Sequence, residues 1–279
     1  MEYFLANCTP KMLSLMAISL TALKIGYEYT KDKFKYDEFP KNSANLEDQR
    51  IVNALKINKK SIAFDLKNNQ NDTKKLENFI SDINASLFHY SGNCSLLSTV
   101  VMYNFLNTNN ISLAARNTYP IMEGISQYYA SEFLLGQTFT EYGGQLKTIE
   151  DLENKIIECY EKKGEQVFLI SASGYKVPFV GETGHCFNAV VLLDKDQKPT
   201  VQFVDAWKTS NYLPSKYDLE HKYSGKSPSY QISFCENKEL IKNFSEINFK
   251  KIKNTLHDLK NTDQTLEYDL ENANLKLSK

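Results

Sequence analysis

No CxxC pair occurs anywhere in the 279 residues, and the five cysteines are an odd number, widely spaced. That spacing argues against a zinc centre built on paired thiolates and against a disulfide framework, and it favours work in a reducing compartment. A basic excess is also missing. Lys and Arg total 33 against 34 Asp and Glu, a formal net charge of −1. A general nucleic-acid groove needs surplus positive charge along the phosphate backbone, so no nucleic-acid partner is expected. Internal repeats are absent. A membrane-spanning run is absent too: Met12 to Ile25 (MLSLMAISLTALKI) is apolar but short, and Lys24 interrupts it. A secretory leader would want a basic start, whereas Glu2 comes first, Lys11 is the only positive residue before the run, and no small-x-small cleavage site follows. An amphipathic or buried N-terminal helix is the plainer expectation. A cleaved or membrane-touching segment is the alternative, and membrane contact is not favoured.

What is present is ordinary globular composition, 42% hydrophobic and 24% charged. The length suits one large domain with additions, or two small domains. Hydrophobic periodicity predicts helices over 45–55, 73–87, 95–106, 119–135 and 147–162. In the second of these, Leu76, Phe79, Ile80 and Ile83 recur at helical spacing. In the last, Thr148 precedes Asp151 by three residues, a near capping box. The stretch 95–106 is apolar all round and reads as a buried helix. Strands are expected at 61–66, 166–170, 185–193, 200–204 and 229–234, with Asp194 to Pro199 as a hairpin loop. Residues 32–43 and 67–72 read as loops, and from Glu236 onward the chain is charged and helical. Helices first and an antiparallel sheet afterwards make the class α+β. The expected organisation is an N-terminal helical extension over 1–66, a catalytic domain over 67–235 and a C-terminal helical extension and tail over 236–279.

Three residues carry the candidate chemistry. A thiolate nucleophile must ionise near neutral pH, and a helix N-terminus and a nearby imidazolium both help. Cys94 stands where Ser91-Gly92-Asn93 ends and the apolar helix begins, so first-turn N–H groups can also hold an oxyanion. His185 opens a strand after the flexible Gly181-Glu182-Thr183-Gly184, and Asp205 closes the next strand. If the two strands pair around the 194–199 loop, His185 and Asp205 reach the same end of the sheet, with bulges absorbing the offset. Taken singly each is ordinary: a small buried thiol, a structural imidazole, a turn carboxylate. Together, in the order Cys, His, Asp, they read as a nucleophile, its base and the carboxylate that orients it.

NCSLLSTVV (Asn93 to Val101), GHCFNAVVLL (Gly184 to Leu193) and VQFVDAW (Val201 to Trp207) resemble the papain-like fold of bacterial toxins and secreted effectors, a group that includes YopT-like cysteine proteases and glutamine deamidases. The resemblance covers about 87–207. It implies a papain-like α+β fold, with a helical part carrying the catalytic Cys at a helix start, packed on an antiparallel sheet that carries the His and Asp. It implies a cysteine hydrolase acting on an amide of a protein substrate, protease or glutamine deamidase, without a cofactor or metal. It also implies a bacterial effector secreted into a host cell, with a host protein as partner and the cytosol as its place of action. A transglutaminase on the same triad, or a non-catalytic effector that binds a host protein, are the alternatives. The order Cys, His, Asp speaks against effector acetyltransferases and ubiquitin-like proteases, whose Cys comes last.

The chain departs from the pattern in two places. Papain has a Gln before its Cys that donates to the oxyanion; Phe88 stands there, followed by His89. Asn93, Ser95 and His89 are the candidate donors. Many toxin relatives carry Pro-Gln after the Asp, where this chain has Ala206-Trp207, and Trp207 either walls the cleft or packs. Elsewhere, alternation places Cys186 on the face opposite His185, as a buried residue. Cys8, Cys159 and Cys235 show no partner pattern, and His221 and His257 read as solvated. Ser171 to Gly174 lacks the Gly-Lys-Ser/Thr of a phosphate loop. The basic amphipathic stretch 244–253 and the tail 263–279 read as a surface helix and frayed end, or as a translocation signal.

Overall fold

The computed structural model describes residues 35–39, 46–62, 64–66, 72–86, 93–107, 111–116, 125–177, 181–207, 212–225 and 227–241. The apolar run 12–25, His89, His257 and the stretches 244–253 and 263–279 lie outside these residues.

The best-patterned segment sets the architecture. β6 (Gly181–Leu193) alternates two apolar faces, and both are covered. It pairs antiparallel with β5 (Val167–Val177) on one side and β7 (Pro199–Val204) on the other. β8 (Ser229–Phe234) and β4 (Thr140–Leu146) complete a five-stranded antiparallel sheet in the order β4-β8-β5-β6-β7. The β6–β7 turn is held by Asp194, whose Oδ1 accepts from the Asp196 and Lys198 N–H groups at 2.8 and 2.9 Å.

α3 (Cys94–Leu106) packs on one face of this sheet against β5 and β6. Every residue from Leu96 to Phe105 is buried, as a helix without a polar face requires. Val190, Leu192, Leu169 and Val204 face it, in a core completed by α1 (Leu46–Ala54), α2 (Thr73–Ser81) and α4 (Gln127–Leu135). α5 (Ile149–Lys163) covers the other face, with Phe168, Ile170, Phe187, Ala189 and Val191 pointing to it. The predicted cap is present: Thr148 Oγ1 accepts from Asp151 N–H at 3.0 Å and donates to the Asp151 carboxylate at 2.8 Å. Phe168 is fully buried in this second core. Phe168→Ala is expected to lower the unfolding free energy by about 3–5 kcal/mol, read by urea denaturation.

Some boundaries differ from expectation. The strand expected at 61–66 is β2 (Leu55–Ile62), which follows α1 directly. With β1 (Tyr36–Glu38) and β3 (Ile111–Ala115) it makes a three-stranded antiparallel sheet. Residues on both sides of position 66 therefore share one sheet and one core. The helix expected to reach 87 stops at Ser81, because Asn84 bridges to Ala115 instead of continuing the turn. β4 went unanticipated, since its Gly143 and Gly144 sit at positive φ and its pairing with β8 is shifted there. A short helix, α6 (Lys216–Lys222), starts on a capping box between Ser215 and Asp218. After β8, the described chain beyond Glu236 holds only a 3₁₀ turn at Lys238–Leu240. The architecture is α+β with antiparallel sheets. No helix among the described residues is long and apolar enough to cross a membrane.

Candidate functional site

The site forms where the β6–β7 pairing runs out. That ladder ends at Asn188–Val204. Three residues further along each chain stand His185 and Trp207, so the segment after β7 folds over the open end of β6. His185 Nε2 lies 3.0 Å from Asp205 Oδ2, and the two side chains are 3% and 5% exposed. Asp205 is held on three sides. Its Oδ1 accepts from Trp207 N–H at 3.0 Å, and its own N–H donates to Tyr212 O at 2.9 Å. Asn84 Nδ2 anchors the following residue by donating to Ala206 O at 3.0 Å. The Trp207 ring packs 4.8 Å from the imidazole at 49°.

Cys94 is the first residue of α3, and it lies close enough to His185 for each to shift the other's titration, the imidazole favouring the thiolate. Asn188 Nδ2 ties the helix to the sheet, donating to Ser98 O at 3.0 Å and Phe168 O at 3.2 Å. The structure thus pairs His185 with Asp205 and places Cys94 near that pair.

The electrostatics follow from burial and pairing. Burial pulls the His185 imidazole down, yet the Asp205 carboxylate and the Cys94 thiol outweigh it and leave it at about 10. Burial raises Asp205, and the His185 charge more than reverses this, leaving the carboxyl below its usual range. Cys94 meets a second thiol: the neighbouring Cys186, and then burial, push it up to about 12, while Cys186 is brought down to about 7, chiefly by Cys94. His185 opposes both effects on Cys94, since its charge favours the Cys94 thiolate.

Cys186 is buried and turned away from the Phe187 face, as its alternation implies, but its neighbours there give it a setting the sequence did not show. The face it occupies is the one α3 covers. Its Sγ lies 3.6 Å from Ser95 Oγ, 3.9 Å from Ser171 Oγ and 3.7 Å from Gln127 Oε1. Ser171 also donates to Gln127 Oε1 at 3.0 Å. The parity of Cys186 with Asn188, Val190 and Leu192 was the signal that pointed it at the Cys94 helix. Gln127 and Asn84 gave no such signal, since only tertiary packing brings them here.

The other candidates separate clearly. Ser95 stands beside the thiol pair. Asn93 is fully buried and its Nδ2 donates to Arg116 O at 2.6 Å, so that amide faces the helix flank. It gives α3 no side-chain cap, which leaves the first-turn N–H groups uncapped by it. Trp207 packs on His185. Ser171 to Gly174 lies inside β5. His221 is exposed on α6, and Cys159 and Cys235 are buried apart from the site. Among the described residues no cluster of three or more His, Cys, Asp and Glu could hold a metal ion.

Residues 35–235 match the family model for the Salmonella plasmid virulence protein SpvD. The chain belongs to the SpvD family. The virulence protein vsdE of Salmonella typhimurium and the virulence protein SpvD of Salmonella dublin are each 34% identical to it over 196 residues, spanning 70% of this chain and 88% of each relative. Two solved variants of the Salmonella effector SpvD are similar in structure. One has a TM-score of 0.60 at 34% identity, the other 0.53 at 30%, and each match covers 69% of this chain and 95% of the SpvD chain. These matches correct the family expected from the three short motifs: the chain is a member of a Salmonella virulence effector family, SpvD, and not of the YopT-like group. The match spans nearly all the described residues, from β1 to Cys235, where the motif resemblance covered less than half of the chain.

Proposed function

We propose that the chain is a thiol hydrolase of papain-like architecture that acts on an amide of a host protein. The observation that carries this is the buried Asp205–His185 pair, 3.0 Å apart, close to Cys94 at the N-terminus of α3. In this mechanism the Cys94 sulfur attacks the amide carbon, the C–S bond forms, and the oxygen charge is met by N–H groups of the first helical turn. His185 gives its proton to the leaving nitrogen as the C–N bond breaks. Water, deprotonated by His185, then opens the thioester and frees the acid and the thiol. Asp205 keeps the imidazole in one orientation and stabilises its charge. No step calls for a cofactor. A main-chain amide makes the enzyme a protease, and a Gln side chain makes it a deamidase. Membership of an effector family supports a host protein as substrate and a host cell's reducing cytosol as the compartment.

The test is a host-cell lysate incubated with the protein or with Cys94→Ala, followed by peptide mass analysis. New chain ends, or a gain of about 1 Da on Gln from amide-to-acid exchange, are expected with the intact site alone. A lysate left unchanged, or changed equally by Cys94→Ala, contradicts the hydrolase and leaves a binding effector.

A further inference from the structure

We propose that Cys94 and Cys186 form a dithiol that a hydroperoxide closes to an intramolecular disulfide, so that the nucleophile's position is also a reversible oxidation site. The inference needs Cys94 to be a reactive thiol and does not depend on amide hydrolysis.

Three observations carry it. The first is placement. β6 turns Cys186 onto the face that α3 covers, its thiol 3.6 Å from the hydroxyl of Ser95, the residue following Cys94, and the two thiols are near enough to shift each other's titration. The second is access. Cys94 is partly exposed at the start of its helix, whereas Cys186 is buried behind it. An oxidant therefore meets Cys94 first, and Cys186 waits within the site. The third is the lining of Cys186. Ser95, Ser171 and Gln127 surround its sulfur with polar groups. The two serine hydroxyls, which can donate to its sulfur, favour the ionised form that a resolving thiol needs, against the cost of burial. Cys159 and Cys235 have no such setting; burial raises both, Cys235 to about 11.

The chemistry balances with a hydroperoxide as oxidant. The Cys94 thiolate attacks the outer peroxide oxygen; the S–O bond forms, the O–O bond breaks, and the alkoxide leaves and is protonated to the alcohol. The Cys186 thiolate then attacks the sulfur of the Cys94 sulfenic acid. The S–S bond forms, the S–O bond breaks, and hydroxide departs as water with a proton from His185. Two thiols lose two electrons in total, and the peroxide is reduced to one alcohol and one water. Further oxidation of Cys94 to the irreversible sulfinic acid is thereby avoided.

The experiment uses the full chain, reduced, desalted and treated with equimolar hydrogen peroxide. The expected product has lost about 2 Da, yields a Cys94–Cys186 cross-linked peptide, no longer alkylates at Cys94, and recovers on treatment with dithiothreitol. Cys186→Ser should instead trap the sulfenic acid, seen as a dimedone adduct on Cys94. Stable sulfenic or sulfinic acid on Cys94 of the unmutated chain overturns the proposal. So does a disulfide from Cys94 to any other cysteine, or a Cys94 that peroxide leaves untouched. Because the unmutated chain supplies the deciding peptide map, a Cys186→Ser variant that fails to fold does not blunt the test. A disulfide that forms in a protein inactive on lysate would overturn the hydrolase alone.

Discussion

Replacement of His185 by alanine is expected to reduce Cys94-dependent turnover by about 100- to 10,000-fold, the range for a positioned general base and acid. The loss falls on kcat, because the imidazole acts on the proton of the thiol and of the leaving group and not on the rest of the substrate. Asp205→Asn is a milder probe of the same chain. It preserves shape and the contact with Trp207 N–H, but it removes the charge that holds His185 up at about 10. The imidazole then titrates lower, and the alkaline limb of the pH–rate profile, where the proton donor is lost, moves down with it. Both variants need a folding check by circular dichroism, since His185→Ala strands a buried carboxylate at a cost of about 3–5 kcal/mol. A folded His185→Ala protein with undiminished turnover contradicts the assignment.

The second large effect is on stability. The folded His185 pKa of about 10 lies above the 6.5 of an unperturbed imidazole. Between those values the folded protein holds a proton that the unfolded chain has released, so stability falls as pH rises through that window. The contribution is fully present below about 6.5. Asp205 acts at the other end: its carboxyl is lowered, so its contribution is present above the unfolded value of 3.8 and is lost as pH falls through the folded one. The pair therefore predicts a plateau from roughly pH 4 to 6.5 and a decline of a few kcal/mol by pH 10. Urea denaturation across this range should show the alkaline decline in the unmutated protein and a much shallower one in His185→Gln. Equal slopes in the two proteins contradict the coupling.

Much of this site was legible in the sequence because its carriers are locally patterned. The β6–β7 hairpin announces itself through doubly apolar strands and a turn built on Asp194, and its register brings His185 and Asp205 together. α3 is apolar on every side and can only be a buried helix, so the residue at its start is placed as well. What was hidden is what depends on tertiary approach. Cys186 was judged by its relation to His185, when the relevant neighbour was the helix packed on the other face of its strand. Gln127 and Asn84 reach the site from elements distant in sequence. β1 and β3 are short, and β4 carries two glycines, so none has the length or alternation that marks a strand. The family was misread because it was inferred from three short motifs that leave most of the chain unused. A match running through residues 35–235 also includes the helices and strands that carry no chemistry, and these distinguish families.

The most direct test of the account is the pH dependence of Cys94 alkylation by iodoacetamide, with the site of modification mapped among all five cysteines. The account predicts that Cys94 is labelled faster than the other cysteines, and that His185→Ala slows it and moves its profile to higher pH, because the imidazole that favours the thiolate is gone. Labelling of Cys94 no faster than of the other cysteines, or a profile that His185→Ala leaves in place, would contradict it.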